Sequence, residues 1–313
     1  MAFLPIGYRK NRFLNLIGHF IISQNYCIRL KEILKIAEEK NIAVGAFNAP
    51  NLESLQAVMS AAEEVQLPVI IQFAPVHETF NLLADMGPLM MEYAKRVSVP
   101  VCVHLDHGDT VERVQQALDM GFTGVMIDGS TLPYEENVAL SKKVVEMAHA
   151  AGASVEAELG SMGRTETGSG EGTGANDETK IYTDPVLAKD FVAQTGIDAL
   201  ACSFGTTHGI YLTEPKLDFD VVKNVRTQTG NIPVVMHGGS GVSHDDYHTA
   251  IKSGVRKINY FTYMDVAGGA AAAEAVKATA EGKPYFFTEM ATRAREGMKK
   301  NVMSAMKMFA LQE

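Results

Sequence analysis

From Leu30 onward the chain repeats one unit: an amphipathic helix, a Gly or polar break, then a short run rich in Val and Ile. Repetition of this kind signals a parallel sheet, because a strand that returns parallel to its predecessor needs a crossover, usually a helix. The helical runs carry apolar residues three and four apart, as in Leu30, Ile33, Leu34 and Ala37, or Leu52, Leu55, Val58, Met59 and Ala62. Two helix starts are well punctuated, by Asp184 before Pro185 and by Ser243 ahead of Asp245 and Asp246. Strands are expected over 42–47, 68–73, 99–105, 123–128, 153–159, 198–204, 233–237 and 256–260. Most are apolar at successive positions, as a strand covered on both faces must be. With no GxGxxG after the first strand, the pattern predicts an α/β fold, a (β/α)8 TIM barrel, ahead of an open doubly wound sheet. A further amphipathic helix over 288–311 carries Met290, Ala294, Met298, Val302, Ala305 and Phe309 on one side, a stripe that suits core or subunit interface.

Composition supports a packed domain. Of 313 residues 46% are hydrophobic and 21% charged, so the chain can bury a core, and its net charge of -9 has the wrong sign for sequence-independent nucleic-acid binding. Residues 29–313 read as one barrel domain and 1–28 as a non-catalytic N-terminal extension. Within that extension the run from Phe13 to Ile22 is interrupted by Asn15, Gly18 and His19, falls short of the about 20 residues that span a bilayer, and lacks an AxA-like cleavage site. No membrane association is expected. The cysteines, Cys27, Cys102 and Cys202, lie far apart, two of them inside apolar runs, which points to buried thiols and a reducing cytoplasm.

In such a barrel chemistry gathers at the C-terminal ends of the strands. Asn48 ends strand one, Asp106 and His107 strand three, and Asp128 strand four. Glu158 lies near the end of strand five, His208 follows strand six, His237 ends strand seven and Asn259 is late in strand eight. A lone histidine is often a satisfied core residue. His107, His208 and His237, each at the same end of a different strand and each followed by Gly, instead form a set for a catalytic divalent metal, zinc by its preference for imidazole, with one coordination position open to substrate. His104 sits at an odd offset from His107, which aims it at the other face of the strand, and it reads as structural. Asp106, beside a metal ligand, can exchange a proton with a substrate hydroxyl; the competing reading makes it a partner that orients a histidine. Asp128 and Glu158 suit either a second cation position or such orienting contacts.

Gly238, Gly239, Ser240 and Gly241 follow His237 directly, and Asn259 and Thr262 stand at the next strand. Loops after strands seven and eight are where barrels commonly bind phosphate through backbone N–H groups exposed by glycine. The stretch 160–183 carries six glycines and reads as a functional lid, an inert insertion being the alternative.

HLDHG at 104–108, VEAELG at 155–160, GTTHG at 205–209 and HGGSG at 237–241 together resemble the class II, metal-dependent ketose-bisphosphate aldolases, the fructose- and tagatose-bisphosphate group. The similarity runs in family order from about residue 29 to the C-terminus. It implies one zinc ion on His107, His208 and His237, Asp106 as the proton-transfer acid at the acceptor carbonyl oxygen, and Asp128 and Glu158 near a second divalent or monovalent cation. It further implies a dihydroxyacetone phosphate site made by Asn48, Gly209, Gly238, Gly239, Ser240, Asn259 and Thr262, and assembly as a homodimer or homotetramer. The implied reaction, in carbohydrate metabolism and glycolysis, is reversible cleavage of a phosphorylated ketose into dihydroxyacetone phosphate and an aldehyde through a metal-stabilised enediolate.

The chain departs from that group in two places. A Ser-Pro-Gly-Thr-like turn after strand two is replaced by Ala74, Pro75, Val76 and His77, and Tyr263 stands where an acidic residue usually follows Thr262. The family's loop glutamate has three candidates here, Glu166, Glu171 and Glu178. Three rivals are weighed against this reading. A Schiff-base aldolase needs a Lys at a strand end, and Lys257 comes at the start of strand eight. A metal-dependent hydrolase is disfavoured by the phosphate-type loops and by the lack of an HxH pair on strand one. A non-catalytic sugar-phosphate-binding barrel would not need its ligand and acid positions intact.

Overall fold

A computed structural model describes residues 26–160, 163–164, 182–209, 215–280 and 282–312, and of residues 163, 164 and 208 the backbone only. The eight expected strands form a closed parallel barrel: β1 (Val44–Asn48), β2 (Val69–Phe73), β3 (Val101–Gly108), β4 (Gly124–Ile127), β5 (Ser154–Leu159), β6 (Ala199–Cys202), β7 (Val234–Met236) and β8 (Val255–Tyr260). Each pairs with its sequence neighbours and β8 returns to β1, in the order β1-β8-β7-β6-β5-β4-β3-β2. Sequence therefore found the number and type of the strands. Almost every strand residue is buried, because helices cover the outside while side chains fill the inside.

Helix α1 (Leu30–Lys40) precedes β1 and plugs the N-terminal mouth, its Leu30, Ile33, Leu34 and Ala37 fully buried and Leu30 N–H donating to the Thr123 carbonyl. Seven helices follow the first seven strands: α2 (Leu52–Val65), α3 (Leu83–Ala94), α4 (Val111–Asp119), α5 (Tyr134–Ala150), α6 (Pro185–Thr195), α7 (Phe219–Gln228) and α8 (His244–Ser253). The expected caps hold. Asp184 Oδ1 accepts from the N–H groups of Val186 and Leu187 at 2.7 and 3.2 Å, and Ser243 Oγ accepts from Asp246 N–H at 3.2 Å.

After β8 come α9 (Thr262–Ala278) and the additional C-terminal helix α10 (Phe287–Phe309). The predicted stripe on α10 is buried at Met298, Val302, Ala305 and Phe309, and half-buried at Met290 and Ala294. Small residues let the two helices approach closely: a Cβ on Gly297 would lie 2.6 Å from the Ala267 carbonyl oxygen. Among the described residues no helix is long and apolar enough to cross a membrane.

Candidate active site

Five strands, β1, β2, β3, β5 and β8, carry the polar side chains of the site, and Asp128 and His237 stand directly after β4 and β7. Alternation places His104 and Asp106 of β3 on the inner face, and by the same rule His107 would point outward. The strand does not continue that way. His107 takes a left-handed conformation, φ 45°, and the pairing with β4 slips between Leu105 and Gly108. This bulge turns the ring inward, so consecutive residues both face the cavity. His104 remains below, fully buried, with Nε2 3.4 Å from Glu156 Oε2.

Asp106 is gripped by three amides. Asn48 Nδ2 and Gln72 Nε2 donate to Oδ2, each at 3.0 Å, and Asn259 Nδ2 donates to Oδ1 at 2.9 Å. Burial pushes this carboxyl up, but His107, Lys257, His237 and the Asn48 hydrogen bond outweigh it and hold Asp106 well below the usual carboxylate range. The group is an anion with its oxygens fixed.

The two histidines on β3 and β7 meet directly. His107 Nδ1 lies 2.9 Å from Asp128 Oδ2, and Asp128 is itself fixed by Ser130, whose N–H and hydroxyl donate to Oδ1 at 3.1 and 2.6 Å. His237 Nε2 lies 2.8 Å from Glu156 Oε1, and Lys257 Nζ donates to the other oxygen of Glu156 at 2.8 Å. An ionised carboxylate only accepts hydrogen bonds, so the hydrogens belong on these two outer ring nitrogens. The inner nitrogens, His107 Nε2 and His237 Nδ1, then turn lone pairs toward each other at 2.8 Å. At that distance the two rings share a proton when His107 is protonated, and these same two nitrogens are the ones that could turn to a metal ion. Burial works against charge on His107, but Asp106, Asp128 and Glu158 override it and push its pKa up to about 9.

Donor atoms from Asp106, His107 and His237 all lie within 4.8 Å of one another, and so do those of His107, Asp128 and Glu158. Glu158 is buried, its Oε2 has no hydrogen-bond partner, and burial followed by repulsion from Asp128 pushes its carboxyl up to about 8. Imidazoles backed by carboxylates, beside an unsatisfied carboxyl oxygen, fit a divalent cation. Of the third predicted ligand, His208, the backbone pairs with Arg164 in a two-residue ribbon, and its side chain lies outside the described residues. Glu166, Glu171 and Glu178 also lie outside them.

A cavity of about 400 Å³ opens above this centre and gathers the whole predicted substrate set, Asn48, Gly209, Gly238, Gly239, Ser240, Asn259 and Thr262, together with Asp106 and His107. Gly238, with φ 62°, admits no side chain, since a Cβ there would lie 2.3 Å from the Thr207 carbonyl oxygen. Phe261 N–H donates to Ser240 Oγ at 3.3 Å and ties the loops after β7 and β8 together. His237, Asp128 and Glu158 sit beneath or beside the cavity rather than in its lining.

Sequence reasoning did not single out Glu156 or Gln72, and it weighed Lys257 only as a Schiff-base lysine. Glu156 was the most accessible of them, because it stands two residues before Glu158 and shares its inward face. Lys257, third in β8 rather than at its end, is fully buried and engaged by Glu156, unlike the strand-end lysine a Schiff-base site needs.

With this geometry in hand, relatives place the chain. Residues 28–313 match the family described as class-II fructose-bisphosphate aldolase. A protein of Bacillus subtilis (strain 168), named probable fructose-bisphosphate aldolase, is 40% identical over 289 residues, covering 90% of this chain and 97% of that one. The fructose-bisphosphate aldolase of Geobacillus stearothermophilus is 43% identical over 244 residues, 77% of this chain and 82% of its own. The crystal structure of the YdjI aldolase from Escherichia coli K12 superposes with a TM-score of 0.78 at 35% identity, covering 90% of this chain and 97% of the other. The chain belongs to the class-II fructose-bisphosphate aldolase family and is an aldolase, a carbon–carbon lyase of a metal-dependent family.

Proposed function

We propose that the protein is a zinc-dependent aldolase that reversibly cleaves a phosphorylated ketose into dihydroxyacetone phosphate and an aldehyde. The observation that carries this reading is the pair of inward nitrogens on His107 and His237, 2.8 Å apart, each with its ring locked from behind by a carboxylate and with Asp106 within 4.8 Å. His107, His237 and, by the resemblance, His208 would hold the ion. Zinc bound there supplies Lewis-acid polarisation of the donor ketone.

The chain's own groups do the rest. Backbone N–H groups of Gly238, Gly239 and Ser240, with Asn259 and Thr262, anchor the donor phosphate at the loops after β7 and β8, so that its carbonyl end reaches the histidines. Asp106, fixed by Asn48, Gln72 and Asn259, moves the proton of the hydroxyl at the carbon–carbon bond that forms or breaks. Asp128 and Glu158 serve a second cation or steady His107. The buried thiols of Cys102 and Cys202 support a reducing cytoplasm. The exposed aromatics Tyr285, Phe286 and Phe287 support assembly as a homodimer or homotetramer.

Proton exchange in D2O tests the donor half. Protein supplied with Zn²⁺ and dihydroxyacetone phosphate alone should wash one stereospecific hydrogen out of the donor, followed by NMR. Absence of exchange, with zinc bound, contradicts the proposal.

A further inference from the structure

One buried polar group lines the cavity and takes no part in the network above. His77 lies in the single 3-10 turn after β2 (Pro75–Thr79) and is 7% exposed. Its Nδ1 is closed off from solvent without a hydrogen-bond partner, and no side-chain hydrogen bond joins the ring to any described residue. The remaining nitrogen, Nε2, is the polar atom the ring can offer to the cavity it lines.

The turn is held rigidly. Glu78 accepts from both terminal nitrogens of Arg113 on α4 at 2.8 and 2.7 Å, and also from Leu83 N–H at 3.1 Å. Rings enclose His77: its centroid lies 4.6 Å from Phe261, 6.3 Å from Phe73 and 6.4 Å from Phe80. A packed imidazole on a braced turn is preorganised to make one directed hydrogen bond.

Its place in the barrel says to what. If the donor is anchored at the loops after β7 and β8 and meets the histidines at the centre, the acceptor must enter beside Asp106 of β3. The described wall on that side is the turn after β2, the strand paired with β3. This wall carries Ala74, Val76 and His77, and the cavity's other charged neighbours there are the carboxylates Asp106 and Asp109. No lysine or arginine among the described residues lines the cavity. Among the described residues a second phosphate would meet two anions and no fixed cation.

We infer that His77 is the acceptor-selecting residue, its imidazole hydrogen-bonding a hydroxyl of an uncharged hydroxylated aldehyde whose C–H faces pack on Phe261. The inference rests on the aldolase reading and adds the acceptor class to it. Burial lowers the pKa of this imidazole, with Asp106 opposing, which suits a neutral ring bonded to a neutral hydroxyl.

The test uses the full-length zinc-loaded protein with dihydroxyacetone phosphate and three acceptors: D-glyceraldehyde, glyceraldehyde 3-phosphate and propionaldehyde. Native protein should show a higher kcat/KM for D-glyceraldehyde than for glyceraldehyde 3-phosphate; the reverse order overturns the inference. His77→Leu keeps the ring pocket filled and His77→Gln keeps a hydrogen-bonding end. In His77→Leu the ratio of kcat/KM for D-glyceraldehyde over propionaldehyde should fall about tenfold, the size of one neutral hydrogen bond, and His77→Gln should restore part of it. A ratio that stays at the native value in both folded variants overturns the inference. Donor proton exchange in the native protein separates the failures: exchange without these selectivities removes only the role of His77, whereas no exchange removes the aldolase reading beneath it.

Discussion

Two walls of one cavity differ sharply. Asp106, His107 and His237 are themselves held by fixed partners, Asn48, Gln72 and Asn259 on one side and Asp128 and Glu156 on the other. Around Ala74, Val76, His77 and Phe261 the wall is apolar and aromatic, with one imidazole that packs on aromatic rings and to which no described side chain hydrogen-bonds. The first wall keeps the motifs the chain shares with its family, and the second is where its sequence leaves them. Chemistry demands atoms held to within tenths of an ångström, whereas choice of acceptor is adjusted by exchanging a few groups on a braced turn.

The contrast breaks if the polar wall tolerates damage. Asp106→Ala should lower the carbon–carbon bond step by about 10² to 10⁴, the range for one general acid or base, while donor exchange suffers less and zinc stays bound. Steady-state cleavage, NMR exchange and metal content measured on one preparation decide this. If the variant loses its zinc, Asp106 orients a ligand and its assigned role is wrong.

A smaller effect is expected one layer out. Glu156→Gln keeps the shape but weakens the grip on His237, and zinc affinity should fall roughly 10- to 100-fold in a chelator competition. An unchanged affinity would make the Lys257–Glu156 pair a matter of packing alone. Damage to the aromatic wall should show only in the acceptor ratio described above, which sharpens the division between the two regions.

A separate effect concerns stability rather than activity. Metal-free Glu158 has its pKa pushed up to about 8, so the folded chain keeps a proton that the unfolded chain releases near pH 4.5. Its contribution is fully present below that lower value and is lost as pH rises toward 8. Glu158→Gln, in chelator, should therefore be more stable than the native protein at pH 8.5, by on the order of a few kcal/mol, with the gap closing by pH 4. Urea unfolding at the two pH values measures it, and a gap independent of pH would contradict the titration.

Much of this was legible in the sequence. Strands buried on both faces write themselves as unbroken apolar runs, and polar residues that end such runs stand out, as Asp128 and His237 do. The neighbours Asp106 and His107 were readable as a motif but not as a geometry, because alternation sends them to opposite faces and only the bulge at His107 reunites them. Gln72 and Glu156 lie inside apolar strands, where a single polar residue acquires meaning only when barrel closure brings Asp106 and His237 beside it. His77 registered only as part of a turn that had lost its hydroxyls; its burial against Phe261 depends on a contact between turns 184 residues apart in sequence.

Chelation tests the central claim, that two facing imidazoles hold the metal of an aldolase, most directly. In excess EDTA cleavage of a phosphorylated ketose should fall to background and return on adding about one equivalent of Zn²⁺ per chain, while borohydride added with dihydroxyacetone phosphate leaves the protein unmodified. Full turnover in EDTA together with covalent trapping of the donor by borohydride would instead place the chemistry on a lysine and contradict the account.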